Sequence, residues 1–189
     1  MEMKTRNKVY PLAMTAVMTA VTCVLAPLSI PIGPVPISFT NLAIYLSLYI
    51  LGWRRGTLSY LVYVLIGMMG MPVFSGYAGG LGKLFGPTGG YIVGFIPMAV
   101  LAGLVIDRSR NRGIQMAAMV VGTAVCYALG TAWFCVVTGS QVGAALGLCV
   151  FPFVPGDLAK MVIAMVAGPM VRTRLERAGL RPGGWKTSD

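Results

Sequence analysis

Asp157 and Lys160 stand three residues apart, directly after Pro155-Gly156, at the end of a stretch from 113 to 156 without a single charge. The spacing puts both on one face of a helix. A carboxylate accepts from N–H groups, and an ammonium donates to a carbonyl oxygen or an anion. Together they can bond a ligand that carries donors and acceptors at once. Ionisable groups in apolar surroundings tend to face a cavity or a partner. A purely structural reading also stands, in which Asp157 caps the helix and Lys160 pairs with it or extends its stem toward water.

A second candidate is the segment from Met71 to Tyr91, which holds seven glycines in 21 residues and includes Ser75, Gly79, Gly80 and Lys83. Glycine permits positive φ and close backbone approach, so the segment can fold back and present its N–H and C=O groups. A flexible linker would share the glycines, but Phe74, Leu81, Leu84 and Phe85 are not needed in one. A lid over a pocket accounts for both features. A third feature is the stripe Ala13, Ala16 and Ala20, at i, i+3 and i+7. Small residues so spaced let helices approach closely, either within the chain or against another membrane subunit.

Other chemistries are excluded. There is no histidine, which removes the commonest general base and metal ligand. No Ser-His or Cys-His pair can form, and only one carboxylate sits among apolar segments, so an enzyme is not expected. Cys23, Cys126, Cys135 and Cys149 lack paired metal spacing and read as small buried hydrophobes. Around Gly82-Lys83-Leu84 both the upstream glycine and the Ser/Thr of a nucleotide-binding loop are missing, so the chain does not hydrolyse ATP by itself.

The elements that must position these residues follow from charge and hydropathy. Of 189 residues, 57% are hydrophobic and 11% charged, with a mean hydropathy of +0.79. A water-facing domain would have roughly a quarter of its residues charged. No charge falls in 9–53, 56–82, 84–106 or 113–156. A membrane-crossing helix takes about 20 apolar residues, and backbone facing lipid must satisfy itself by helix formation. The strand alternation of a membrane barrel is absent. These runs predict an all-α polytopic membrane protein, a single domain of six transmembrane helices at about 9–28, 37–53, 56–71, 89–106, 114–138 and 156–172, then a basic tail over 173–189. The basic start resembles a signal peptide, but its apolar run is long and five more follow, so it is expected to be retained.

Of the 15 Lys and Arg residues, 13 fall in four clusters: Lys4/Arg6/Lys8, Arg54/Arg55, Arg108/Arg110/Arg112 and Arg172 to Lys186. Six spans with both termini cytoplasmic put all four clusters inside, as basic residues prefer, and leave Lys83, Asp157 and Lys160 on the outer half. The net charge of +10 is thus assigned to anionic headgroups of the membrane lipid, not to nucleic acid, which would call for a continuous basic stripe.

Taken together, Gly33-Pro34-Val35-Pro36-Ile37, Pro72-Val73-Phe74 with Gly79-Gly80, Gly86-Pro87-Thr88-Gly89-Gly90-Tyr91 before Gly94-Phe95, and Pro152-Phe153-Val154-Pro155-Gly156-Asp157 with Lys160 resemble the BioY family over about 9–172. Members are biotin-specific S components of energy-coupling-factor (ECF) importers. The resemblance implies a vitamin-binding protein in a prokaryotic cell membrane, with no cofactor of its own. It implies a pocket on the outer side, working with a transmembrane coupling protein and two cytoplasmic ABC-type ATPases. Carried over, Asp157 and Lys160 are the polar contacts, and Ser75, Gly79, Gly80, Tyr91 and Thr40 complete the wall. Lys83 is assigned either to the biotin carboxylate or to a lipid phosphate. Ala13, Ala16 and Ala20 match the face that docks the coupling protein.

Two positions depart from the pattern: Ser38-Phe39-Thr40-Asn41 stands where a glutamine is common, and Tyr77 where a smaller residue is expected. Another water-soluble vitamin is the alternative cargo. A homo-oligomeric channel is the more distant one, since it would require polar residues along several spans.

Overall fold

The computed structural model describes residues 2–31 and 35–178, with side chains from Val9 onward. Gly33, Pro34, Arg181, Lys186 and the side chains of Lys4, Arg6 and Lys8 lie outside the described residues.

The chain runs α1 (Glu2–Leu25), β1 (Ser29–Ile30), β2 (Ile37–Ser38), α2 (Thr40–Leu51), α3 (Trp53–Met68), α4 (Leu81–Phe85), α5 (Gly89–Arg108), α6 (Arg112–Thr138), α7 (Val142–Cys149) and α8 (Val154–Arg177). The strands form an antiparallel pair with Ser29 opposite Ser38 and Ile30 opposite Ile37. The molecule is therefore mainly helical. Among the described residues, three helices are long and apolar enough to cross a membrane: α5, α6 and α8, while Val9–Leu25 and Thr40–Leu51 are shorter apolar helical stretches.

Side chains are arranged for an apolar surrounding. Val24, Leu65, Val121, Val136 and Ile163 are exposed, whereas Thr15, Thr19, Thr22, Asn41, Ser47, Ser59, Thr123 and Thr131 are buried. Lipid has no polar groups to offer, so hydroxyls turn inward and bond to neighbours. Thr15, Thr19 and Thr22 donate to the carbonyls of Pro11, Thr15 and Met18 along α1, and Thr19 Oγ1 also reaches Ser59 Oγ on α3 at 3.2 Å. Tyr45 Oη on α2 lies 2.6 Å from Thr123 Oγ1 on α6, and Tyr49 Oη donates to Gln115 Oε1 at 3.0 Å.

Close helix contacts rest on small residues. Gly94 of α5 lies against Cys126 of α6, and Gly122 of α6 against Met98 of α5, so the two backbones meet with little side chain between them. At one end of the bundle, Asp107 Oδ2 accepts from the Trp53 N–H at 3.0 Å, tying the end of α5 to the α2–α3 turn beside Arg54. The opposite end carries the strand pair, α4 and the first turns of α2, α5 and α8.

Several boundaries differ from the sequence expectation. Residues 37 and 38 are strand, so the second helix starts at Thr40. The first helix ends at Leu25, and the last runs to Arg177, taking 173–177 out of the expected tail. The glycine-rich connection holds the short helix α4. The uncharged stretch after α6 contains α7, which hydropathy alone cannot separate from its apolar neighbours.

Candidate ligand-binding site

At the strand-pair end of the bundle lies an open cavity, with about 670 Å³ of space between its walls when the open mouth is counted. Its charged residues come from the start of α8. Asp157 is in the first turn of α8, after Pro155 has fixed the helical entry, and Lys160 follows one turn on. Their side chains pair at 3.0 Å, Lys160 Nζ to Asp157 Oδ1, and both residues are buried, 7% and 6% exposed.

Burying an ion pair costs more than its attraction returns unless the remaining donors and acceptors are met. Here they are. Tyr127 Oη of α6 donates to Asp157 Oδ2 at 2.5 Å, and Lys160 Nζ donates to the Ser38 carbonyl at 2.7 Å. The ammonium also stands 5.7 Å from the centre of the Phe39 ring, a favourable cation–π distance. The network runs from α6 through α8 to the strand before α2. Each carboxylate oxygen keeps a second lone pair, and the ammonium a third hydrogen, for a ligand.

The wall is aromatic. Tyr60, Tyr63, Tyr91 and Phe95 line the cavity with Phe74 and Phe153. Tyr60 and Tyr63 ring centres are 5.5 Å apart, Tyr60 meets Phe95 edge-on at 6.0 Å, and Tyr63 meets Phe74 edge-on at 5.7 Å. The hydroxyls are occupied: Tyr60 bonds to the Ile92 carbonyl, Tyr63 to the Val73 carbonyl, and Tyr91 to Thr131 Oγ1. What remains for a ligand is ring surface, suited to an apolar or flat group.

The glycine-rich connection folds against this wall. Phe74 is buried and packs onto Gly67 of α3, where any larger side chain would overlap the ring. Backbone bonds fix the rest: Phe74 N–H to the Ala78 carbonyl, Gly76 N–H to the Pro27 carbonyl, and Gly80 N–H to the Gly67 carbonyl at 2.7 Å.

Among the residues singled out from sequence, Asp157, Lys160, Tyr91, Ser75 and Thr40 line this one cavity. Gly79, Gly80 and Lys83 are outside its lining. Gly79 lies against the Met71 carbonyl, too close for a Cβ. Gly80, at φ +85°, precedes α4, and Lys83 is half-buried in α4 itself. Tyr77 adopts φ 57° and is 66% exposed. Ala13, Ala16 and Ala20 are on the exposed side of α1, opposite Thr15, Met18, Thr19 and Thr22.

Sequence reading missed Tyr127, Asn41, Tyr60, Tyr63 and Phe95. Helical spacing offered a signal for some: Tyr60 and Tyr63 are three apart, Tyr91 and Phe95 four, each pair on one face. The cysteines are free; Cys126 and Cys149 line the cavity, and Cys126 donates to the Tyr91 carbonyl at 3.6 Å. No group of three or more metal-ligating side chains occurs among the described residues.

Comparison with known proteins points the same way. The biotin transporter BioY of Thermotoga maritima is 38% identical over 162 residues, covering 85% of this chain and 95% of that protein. BioY2 of Lactococcus lactis is 34% identical over 163 residues, covering 86% and 90%. A 2.1 Å crystal structure of the S-component for biotin from an ECF-type ABC transporter superposes with a TM-score of 0.81 at 29% identity, covering 89% of this chain and 93% of that one. The model of the BioY family matches residues 1–177, and with motif order, fold and relatives in agreement, the chain belongs to the BioY family.

Proposed function

We propose that the chain captures biotin as the substrate-binding S component of an ECF-type importer. The observation that carries this reading is the buried Asp157–Lys160 pair set in an aromatic cavity. The ureido ring of biotin has two N–H donors and one carbonyl acceptor, which suit the spare lone pairs of Asp157 and the third hydrogen of Lys160. Its fused thioether ring and aliphatic chain suit the tyrosine and phenylalanine faces. Ser75, Thr40 and Tyr91 complete the contact surface, and Gly79 and Gly80 support it by shaping the cover. Lys83, on α4 and outside the cavity lining, is assigned to a lipid phosphate or the biotin carboxylate.

In this reading the chain crosses the membrane six times, by α1, α2, α3, α5, α6 and α8, with both termini cytoplasmic. The cavity end then faces outward, and Arg54, Arg108, Arg110, Arg112 and Arg174 face the cytoplasm, as basic residues prefer. The exposed face of α1 around Ala13, Ala16 and Ala20 is suited to dock a transmembrane coupling protein driven by two cytoplasmic ABC-type ATPases. The chain itself binds and carries; the partners supply the ATP chemistry.

Calorimetric titration of the detergent-purified chain tests the reading. Saturation by biotin near one site per chain, with no heat from thiamine or riboflavin, is the expected result. No biotin heat from folded, ligand-free protein overturns it.

A further inference from the structure

The first turn of α2 borders the cavity through Thr40 and Asn41. Asn41 is 4% exposed. Its Oδ1 accepts from the Leu42 N–H at 3.0 Å, so the amide orientation is set by the backbone. The Nδ2 group has no hydrogen-bond partner among the described residues. Phe39 caps the helix without a side-chain bond and no acidic residue lies in the first turn, so the positive end of α2 is also uncompensated.

This arrangement differs from that of the tyrosines and the ion pair around the cavity. The tyrosine hydroxyls, Tyr127, Asp157 and Lys160 all have protein partners. Asn41 lines the cavity and its Nδ2 has no protein acceptor among the described residues. A donor at a cavity wall with no protein acceptor is open to an acceptor on a ligand. It stands in a segment whose neighbours Phe39, Leu42 and Ile44 are apolar.

Resting on the biotin reading above, we propose that Asn41 is a ligand-contacting specificity residue, its Nδ2 donating to an oxygen acceptor of bound biotin. Two such oxygens exist, the ureido carbonyl and the carboxylate. A helix N-terminus favours either, and the carboxylate more.

Asn41→Asp is the sharpest test. The substitution keeps the acceptor for Leu42 N–H and adds an acid to the first turn of α2, which helices favour. It replaces the donor with a negative acceptor. The expected result is a variant that still folds without ligand, with biotin affinity reduced on the order of tenfold or more. Asn41→Leu, which lacks any amide, loses affinity as well. An analogue ending in methyl in place of the carboxylate, and 2-iminobiotin, then locate the contact: the effect of Asn41→Asp shrinks to about twofold for whichever analogue lacks the acceptor oxygen. Wild-type affinity in both folded variants, or an equal loss for all three ligands, overturns the proposal. A wild-type chain that binds no biotin overturns the functional reading instead, and this inference with it.

Discussion

Tyr127 Oη donates to Asp157 Oδ2 at 2.5 Å while Lys160 Nζ holds Oδ1 of the same carboxylate at 3.0 Å. The two carboxylate oxygens are thus bound from two different helices, α6 and α8. The carboxylate plane is fixed before a ligand arrives. Ligand binding then needs no reorientation of the charged group, which lowers the ordering cost of association.

Replacing the charge tests its part in recognition. Asp157→Asn and Lys160→Ala each remove a charge-assisted contact, and biotin affinity is expected to fall by about 1.5–3 kcal/mol in calorimetric titration. Equal affinity in folded variants would remove both from the site.

Tyr127→Phe keeps the ring and deletes only the bond to Asp157 Oδ2. A loss of about 0.5–1.5 kcal/mol in biotin affinity is expected, smaller than for Asp157→Asn, because Lys160 still holds the carboxylate. A loss as large as that of Asp157→Asn would mean that the hydroxyl itself touches biotin.

Stability and binding should separate at Lys160. Lys160→Met leaves Asp157 buried without its cation, and ligand-free stability is expected to drop by about 3–5 kcal/mol. Adding Asp157→Asn should restore most of that stability and none of the binding. Thermal unfolding in detergent, read beside titration, distinguishes the two effects.

On α1, Ala16→Leu and Ala20→Leu alter residues on the exposed side, away from the cavity. Biotin binding by the isolated chain is expected to be unchanged, while uptake reconstituted with coupling protein and ATPases is lost. Undiminished uptake would dismiss this face as the docking surface.

Gly67→Val places a branched side chain where Phe74 packs. The ring is expected to be displaced from the cavity wall, with weaker biotin binding and little change in helix content by circular dichroism. A variant binding as wild type would show that Phe74 has no part in closing the pocket.

Much of this site can be read from charge alone. Asp157 and Lys160 stand out because they interrupt an apolar sequence, where an ionisable group needs a reason to exist. Tyr127 offers no such contrast: an aromatic residue in an apolar helix reads as packing until its hydroxyl is placed next to Asp157. Asn41 is likewise a single amide near a helix start, where capping is the ordinary explanation. The family resemblance supplied motif order, and the family model matches the same stretch of chain. It did not supply α7, because Val142–Cys149 is as apolar as the helices on either side. Gly79 and Gly80 are informative as loop glycines, yet their geometry serves backbone anchoring rather than the cavity lining.

The connection beside the cavity is held by three main-chain bonds, Phe74 to Ala78, Gly76 to Pro27 and Gly80 to Gly67. Two of the donors, Gly76 and Gly80, take φ of +73° and +85°, which glycine adopts without strain, so this frame depends on those two residues. Ser75, which lines the cavity, is under no such backbone constraint. A replacement there alters the wall while the main-chain frame stays in place.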